Sequence, residues 1–82
     1  MNIEIKIERK NQVLSRVSFS KATLHRYINC GKFPPPISLG GRAVGFFKHE
    51  VDEYLLAAAT GSDLNEAVTK MLAMRKELAQ LH

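Results

Sequence analysis

Three consecutive prolines near the middle of the chain, Pro34-Pro35-Pro36, constrain its fold more than any other feature. A proline lacks the backbone donor, and its ring excludes the helical region for the residue before it, so Phe33 to Pro36 must run extended. Helices before this point have to end by Gly31, and regular structure has to restart after it. With 82 residues in all, both halves belong to one small domain. A chain of this length buries only about 60% of the surface it exposes when unfolded, which leaves no interior volume for a large catalytic cleft.

On the N-terminal side, Ile3, Ile5 and Ile7 alternate with polar residues over Asn2 to Glu8, the pattern of a half-buried strand. Its pairing partner is open: a lone strand has to join a sheet in this chain or in another copy. Val13, Leu14 and Val17 then give a short amphipathic helix over Gln12 to Val17, followed by a polar Ser18-Phe19-Ser20 break. Ser20 is the expected N-cap of a second helix, Lys21 to Cys30, because its hydroxyl accepts from a free first-turn amide. Leu24, Tyr27 and Ile28 form the apolar stripe of that helix. At 100° per residue the opposite face centres on Ala22, Arg26 and Asn29, with Lys21, Thr23 and His25 on its flanks. Gly31 closes the helix, since glycine enters the left-handed region without a Cβ penalty.

Beyond the prolines, Ile37 to Leu39 and Val44 to Phe46 read as two short strands joined through Gly40-Gly41-Arg42-Ala43, a hairpin signal. Phe33 and Phe46 are the expected core anchors beneath it. A third helix spans Lys48 to Ala59 with Val51, Tyr54, Leu55 and Ala58 on its buried face. Glu50, Asp52 and Glu53 in its first turns suit the positive end of the helix dipole. Thr60-Gly61-Ser62 breaks it, and a fourth helix runs from Asp63 to Leu81. There Leu64, Ala67, Met71, Met74, Leu78 and Leu81 fall at spacings of three and four, with Val68 and Leu72 widening the stripe. A lone helix of about twenty residues is marginal in water, so this face must pack somewhere. It either folds back onto the domain's own core, or forms a homodimer contact or a surface for a recombinase or RNA polymerase subunit. The division is an extended segment over 1–10, a winged helix-turn-helix unit over 11–60 and an amphipathic helix over 61–82. The fold class is mainly α with a small β-hairpin: two helices across a short turn form a helix-turn-helix, and the hairpin is its wing.

Charge placement gives this architecture a purpose. Arg9, Lys10, Arg16, Lys21, Arg26, Lys32, Arg42 and Lys48 are eight cations in a window without a single Asp or Glu. The rest of the chain carries four cations against all eight acids, which accounts for the net charge of +4. Such asymmetry is the footprint of a polyanion binder. An exposed helix face fits the major groove of duplex DNA, where Arg26 suits guanine, Asn29 adenine and Ala22 a thymine methyl; Lys21 and His25 complete the reading face. Lys21 and Arg42 also suit phosphate. Arg16, Ser20, Thr23 and Lys32 extend the expected backbone track, and Gly40 and Gly41 let the wing approach a phosphate closely.

Other chemistries find little support. Cys30 is the only cysteine, which excludes an intrachain disulfide and suits a reducing cytoplasm. The isoleucines near the N-terminus alternate with charges and form no secretory core, and the apolar run Tyr54 to Ala59 is too short to span a bilayer. A cytoplasmic protein is expected, with no membrane partner, no small-molecule substrate and no cofactor. His25 and Cys30 lack the spacing of a metal site. His49-Glu50 opens like a zinc-protease motif, but Glu53 stands where the second histidine is required. Neither a metal nor an enzymatic activity is expected.

Four segments in order, S-F-S-K-A-T-L-H-R-Y-I, G-K-F-P-P-P-I, G-G-R-A-V-G-F and E-V-D-E-Y-L, resemble the AlpA family of prophage transcriptional regulators. The run from Val13 to Leu56, about half the chain, is covered. It is more distantly similar to phage excisionases, the lambda-type protein being alike around the triple proline. The resemblance implies a winged helix-turn-helix related to the MerR DNA-binding domain, and sequence-specific DNA binding by a phage or mobile-element regulator. Ser18 stands where the family usually has glycine, His25 where tyrosine is common, and Phe46 and Tyr54 where tryptophans are usual. A transcriptional regulator is preferred over an excisionase of the same fold. A different class of reading is a protein-interaction adaptor acting through helix 62–81.

Overall fold

The structure, a computed structural model, describes residues 5–80. The order of elements is β1 (Ile7–Glu8), α1 (Lys10–Val17), α2 (Lys21–Asn29), β2 (Ile37–Gly40), β3 (Ala43–Phe47), α3 (Lys48–Ala59) and α4 (Leu64–Gln80). It is a mainly helical domain with one small antiparallel sheet, the arrangement of a winged helix-turn-helix. Ile3 and Leu81 lie outside the described residues.

The strand whose partner was open pairs within the chain. β1 runs antiparallel to β3, Ile7 opposite Phe47 and Glu8 opposite Phe46, giving the strand order β1-β3-β2. Among the described residues of the expected N-terminal strand, Ile7 and Glu8 join this sheet. Gly45, at the centre of β3, permits the close approach: a Cβ there would stand 2.5 Å from Ile7 Cγ2 and 3.1 Å from Leu39 Cδ1.

The core draws on every helix. Val13 of α1, Leu24 of α2, Phe33 of the proline segment, Phe46 of β3, Val51 and Tyr54 of α3, and Met71 of α4 form one buried cluster. The Phe33 ring lies 5.9 Å from Phe46 and 4.7 Å from Tyr54, centroid to centroid, so the two phenylalanines are indeed the anchors beneath the wing. Each such side chain contributes about 1.5–3 kcal/mol by leaving water. The buried face of α3 is the expected one at Val51, Tyr54 and Leu55, but the core stops there and Ala58, one turn further, is exposed.

The α4 stripe, left open between the domain's own core and a partner, divides between them. Met71 is buried, and Leu64 and Ala67 pack against the same cluster, so these three of the residues expected at an interface complete the domain's own core instead. Met74 remains 47% exposed, while Leu78 is half-buried beside Ile5, Ile37 and Phe47. Glu50 does more than complement a helix dipole. It is 2% exposed and accepts two bonds from Arg75 of α4, 2.7 Å from Nε to Oε2 and 2.5 Å from Nη2 to Oε1. Arg75 Nη2 also donates to the Pro35 carbonyl at 2.8 Å, and its guanidinium lies 5.2 Å from the centre of the Phe47 ring. Arg16, placed on the DNA track from its charge, is held by Glu8 of β1 and Asp52 of α3. Its charge clamps two elements of the fold, which explains why it does not extend the outward cationic face.

Candidate DNA interface

The helix-turn-helix is fixed by local backbone chemistry. α1 ends with Ser18 in the left-handed region (φ 59°, ψ 32°), its N–H bonded to the Leu14 carbonyl. This conformation is the one that glycine enters without a Cβ penalty, so Ser18 holds it at some cost. Ser20 then caps α2, its hydroxyl accepting from the Thr23 N–H at 3.2 Å and donating to Thr23 Oγ1 at 3.0 Å. Ser20 and Thr23 therefore serve first as the cap that starts the helix. The other end closes over Gly31 (φ 72°), with Lys32 N bonded to Tyr27 O at 2.9 Å and Gly31 N to Ile28 O at 3.1 Å, the paired bonds of a Schellman ending. From α4, Asn65 Nδ2 donates to the Cys30 carbonyl at 2.8 Å. The long C-terminal helix thus braces the end of α2 as well as the core.

So pinned, α2 buries Leu24, half-buries Tyr27 and Ile28, and turns its other face to solvent. Lys21, Ala22, His25, Arg26 and Asn29 are all exposed, as that face requires. His25 is not isolated: its Nε2 lies 3.3 Å from Lys10 Nζ of α1. Beside this face the β2–β3 hairpin turns over Gly40 (φ 104°) and Gly41 (φ 55°), and Gly40, Gly41 and Arg42 stand exposed at its tip. Lys32 is exposed past the end of α2, its ammonium 6.0 Å from the centre of the Tyr27 ring.

Between α1, the start of α2 and the wing lies an open cleft of about 350 Å³ lined by Arg9, Lys10, Asn11, Lys21 and Arg42. Lys21 and Arg42 both line this cleft. Arg9, Lys10 and Asn11 of this lining were not among the expected site residues; Arg9 and Lys10 fall outside the unit expected over 11–60. The signal was present in the sequence as a basic pair directly before an apolar-periodic helix. The acids gather elsewhere: Glu53, Asp63 and Glu66 border a groove of about 620 Å³ between α3 and α4, where Leu56 is 66% exposed.

Electrostatic shifts follow the ion pairs. Hydrogen bonding to Arg16, and then to Lys48, holds the Asp52 carboxyl below its ordinary value. The same contact with Asp52 raises the Arg16 guanidinium. Burial pushes the Tyr54 hydroxyl up. Among the described residues no group of three His, Cys, Asp or Glu side chains is placed to hold a metal ion, and no helix is long and apolar enough to cross a membrane.

Comparison with known proteins bears on what such a face is for. The sequence model of the family described as "Prophage CP4-57 regulatory protein (AlpA)" matches residues 6–57. An uncharacterized protein of Enterobacteria phage P4, ORF88, is 32% identical over 50 residues, which cover 61% of this chain and 57% of that protein. The chain therefore spans a little over half the length of that relative. No solved structure matches it significantly.

Proposed function

The chain belongs to the AlpA family of prophage regulatory proteins, and from that premise we propose that it is a sequence-specific duplex-DNA-binding transcriptional regulator of a prophage or mobile element. One observation carries the reading. Lys21, Ala22, His25, Arg26 and Asn29 project together from a helix fixed at both ends, with the exposed wing tip beside them, in a stretch of chain without a carboxylate. α2 enters the major groove, where Arg26 takes guanine O6 and N7, Asn29 takes adenine and Ala22 meets a thymine methyl. Arg42 and the wing glycines lie on the sugar-phosphate backbone, which supplies affinity without sequence information.

Binding rather than bond-making is the proposed mode of action. The adaptor reading is weakened, because Leu64, Ala67 and Met71 are folded into the domain itself. Titration of the isotope-labelled protein with a duplex in dilute buffer tests the proposal. Amide shifts that include residues 21–29 and 40–42 are expected; an unperturbed spectrum would overturn it. Footprinting on promoter and attachment-site DNA then separates a transcriptional regulator from an excisionase of the same fold.

A further inference from the structure

We propose that the cleft between α1, the start of α2 and the wing is a seat for one phosphodiester of the bound DNA, held jointly by Arg9, Lys10, Lys21 and Arg42. The inference rests on the DNA-binding reading and adds a place, a ligand group and three residues, Arg9 to Asn11, to it. The four cations come from three different elements yet line one cavity. Among the described residues they share the lack of an ion pair with Arg26, Lys32 and Lys76, but unlike those three they line one cavity. Arg16, Lys48, Lys70 and Arg75 each face a carboxylate, whereas among the described residues none of these four makes an ion pair. The first turn of α1 holds no acid either, so the positive end of its dipole adds to the same field. Four like charges around one hollow repel each other in the free protein, and a single anion placed among them turns that cost into attraction.

The cavity's shape fits the same ligand. Its volume of about 350 Å³ accommodates a phosphate together with bound waters, at about 30 Å³ for each water. Leu14 and Val44 also line it, giving an apolar wall for the deoxyribose and strengthening the charges beside it. Asn11 adds a side-chain amide, although its Oδ1 already accepts from the Gln12 N–H at 2.9 Å. The seat is also tied to the reading face, since Lys10 Nζ lies 3.3 Å from His25 Nε2. A phosphate gripped here by α1, α2 and the wing at once fixes the height at which Arg26 meets the base edges. Its function is register as well as affinity.

The distinguishing consequence is that the cations share a phosphate. Duplexes carrying a neutral methylphosphonate at one position at a time are bound to the wild-type protein and to Lys10→Gln, Arg42→Gln and the double variant. Both sites lie on the surface, and circular dichroism verifies folding. Neutralising the seated phosphodiester should weaken wild-type binding, and that one penalty should shrink in each single variant and shrink further in the double variant, where only Arg9 and Lys21 remain. The salt slope of the double variant should fall by no more than about 0.9 in total, the worth of one phosphate. Sensitivity at two different phosphates, or a fall of twice that size, would overturn the shared seat. A second arm uses no DNA. Titration with inorganic pyrophosphate should shift the amides of residues 9–11, 21 and 42, and an even spread over Lys32, Lys48 and Lys76 would overturn the seat. If no duplex bound the wild-type protein, the proposed function would fall, and the pyrophosphate arm would still decide the seat.

Discussion

Replacing Arg75 with alanine would leave the Glu50 carboxylate in the interior without the two bonds it accepts. Removing one partner of a buried ion pair costs about 3–5 kcal/mol, because the remaining charge has lost its compensation. Glu50, at 2% exposure, has little water to turn to, so the full effect applies. The Pro35 carbonyl loses its donor as well, which adds about 1 kcal/mol. A domain of this length has only about 4–12 kcal/mol of stability in total. Arg75→Ala should therefore lose about 4–6 kcal/mol and sit near the limit of folding. The double variant Glu50→Leu/Arg75→Met removes both charges and should return to within about 2 kcal/mol of the wild type. Urea unfolding followed by circular dichroism reads both. A loss below about 1 kcal/mol in Arg75→Ala, or a double variant no better than the single one, would refute the claim that this pair locks α4 onto α3 and the proline segment.

Gly45→Ala should cost about 1–3 kcal/mol by overpacking, since its Cβ would meet Ile7 Cγ2 at 2.5 Å; adding Ile7→Ala should recover part of the loss, and urea midpoints without that recovery would place the strain elsewhere. Ser18→Gly removes a side chain from the left-handed region (φ 59°) and should raise stability by up to about 1 kcal/mol; calorimetry should show a melting temperature several degrees higher, and a lower one would contradict the account of that turn. Asp52 is held below its ordinary carboxyl value by Arg16 and Lys48, so its pairing contributes in full above the unfolded carboxyl range and is lost as pH falls through the lower folded value. Acid unfolding of Asp52→Asn should therefore show a shallower pH dependence below about pH 4 than the wild type, and identical curves would remove this pair from the acid response.

Local pattern made much of this fold legible, and long-range pairing accounts for the rest. Helix α3 begins and ends where its periodicity and the Thr60-Gly61-Ser62 break put it, and the hairpin sits where the paired glycines require it. The exposed face of α2 follows from three apolar residues alone, because a helix with one buried stripe has only one other side. Charge, by contrast, does not announce its partner. Arg16 looks like any cation of the acid-free window until Glu8 and Asp52, 8 and 36 residues away, are brought beside it. Glu50 looks like a dipole-complementing acid until Arg75, 25 residues away, encloses it. The α4 stripe shows the same limit: its spacing reveals an apolar face, but whether that face meets this domain or another is decided by where the preceding turn points it. The cationic cleft was hidden for a related reason, since its residues are contributed by three elements that adjoin only in the folded chain.

The division of labour between helix and wing is tested most directly by the discrimination ratio. Once a preferred duplex has been selected from a random library, the affinity of each variant for it is compared with its affinity for a scrambled duplex at one salt concentration. Arg26→Ala should lose about 1–3 kcal/mol on the preferred duplex alone and shrink the ratio, whereas Arg42→Ala should weaken both duplexes alike and leave the ratio standing. A ratio preserved in Arg26→Ala, or reduced equally in both variants, would contradict the assignment of α2 as the reading element.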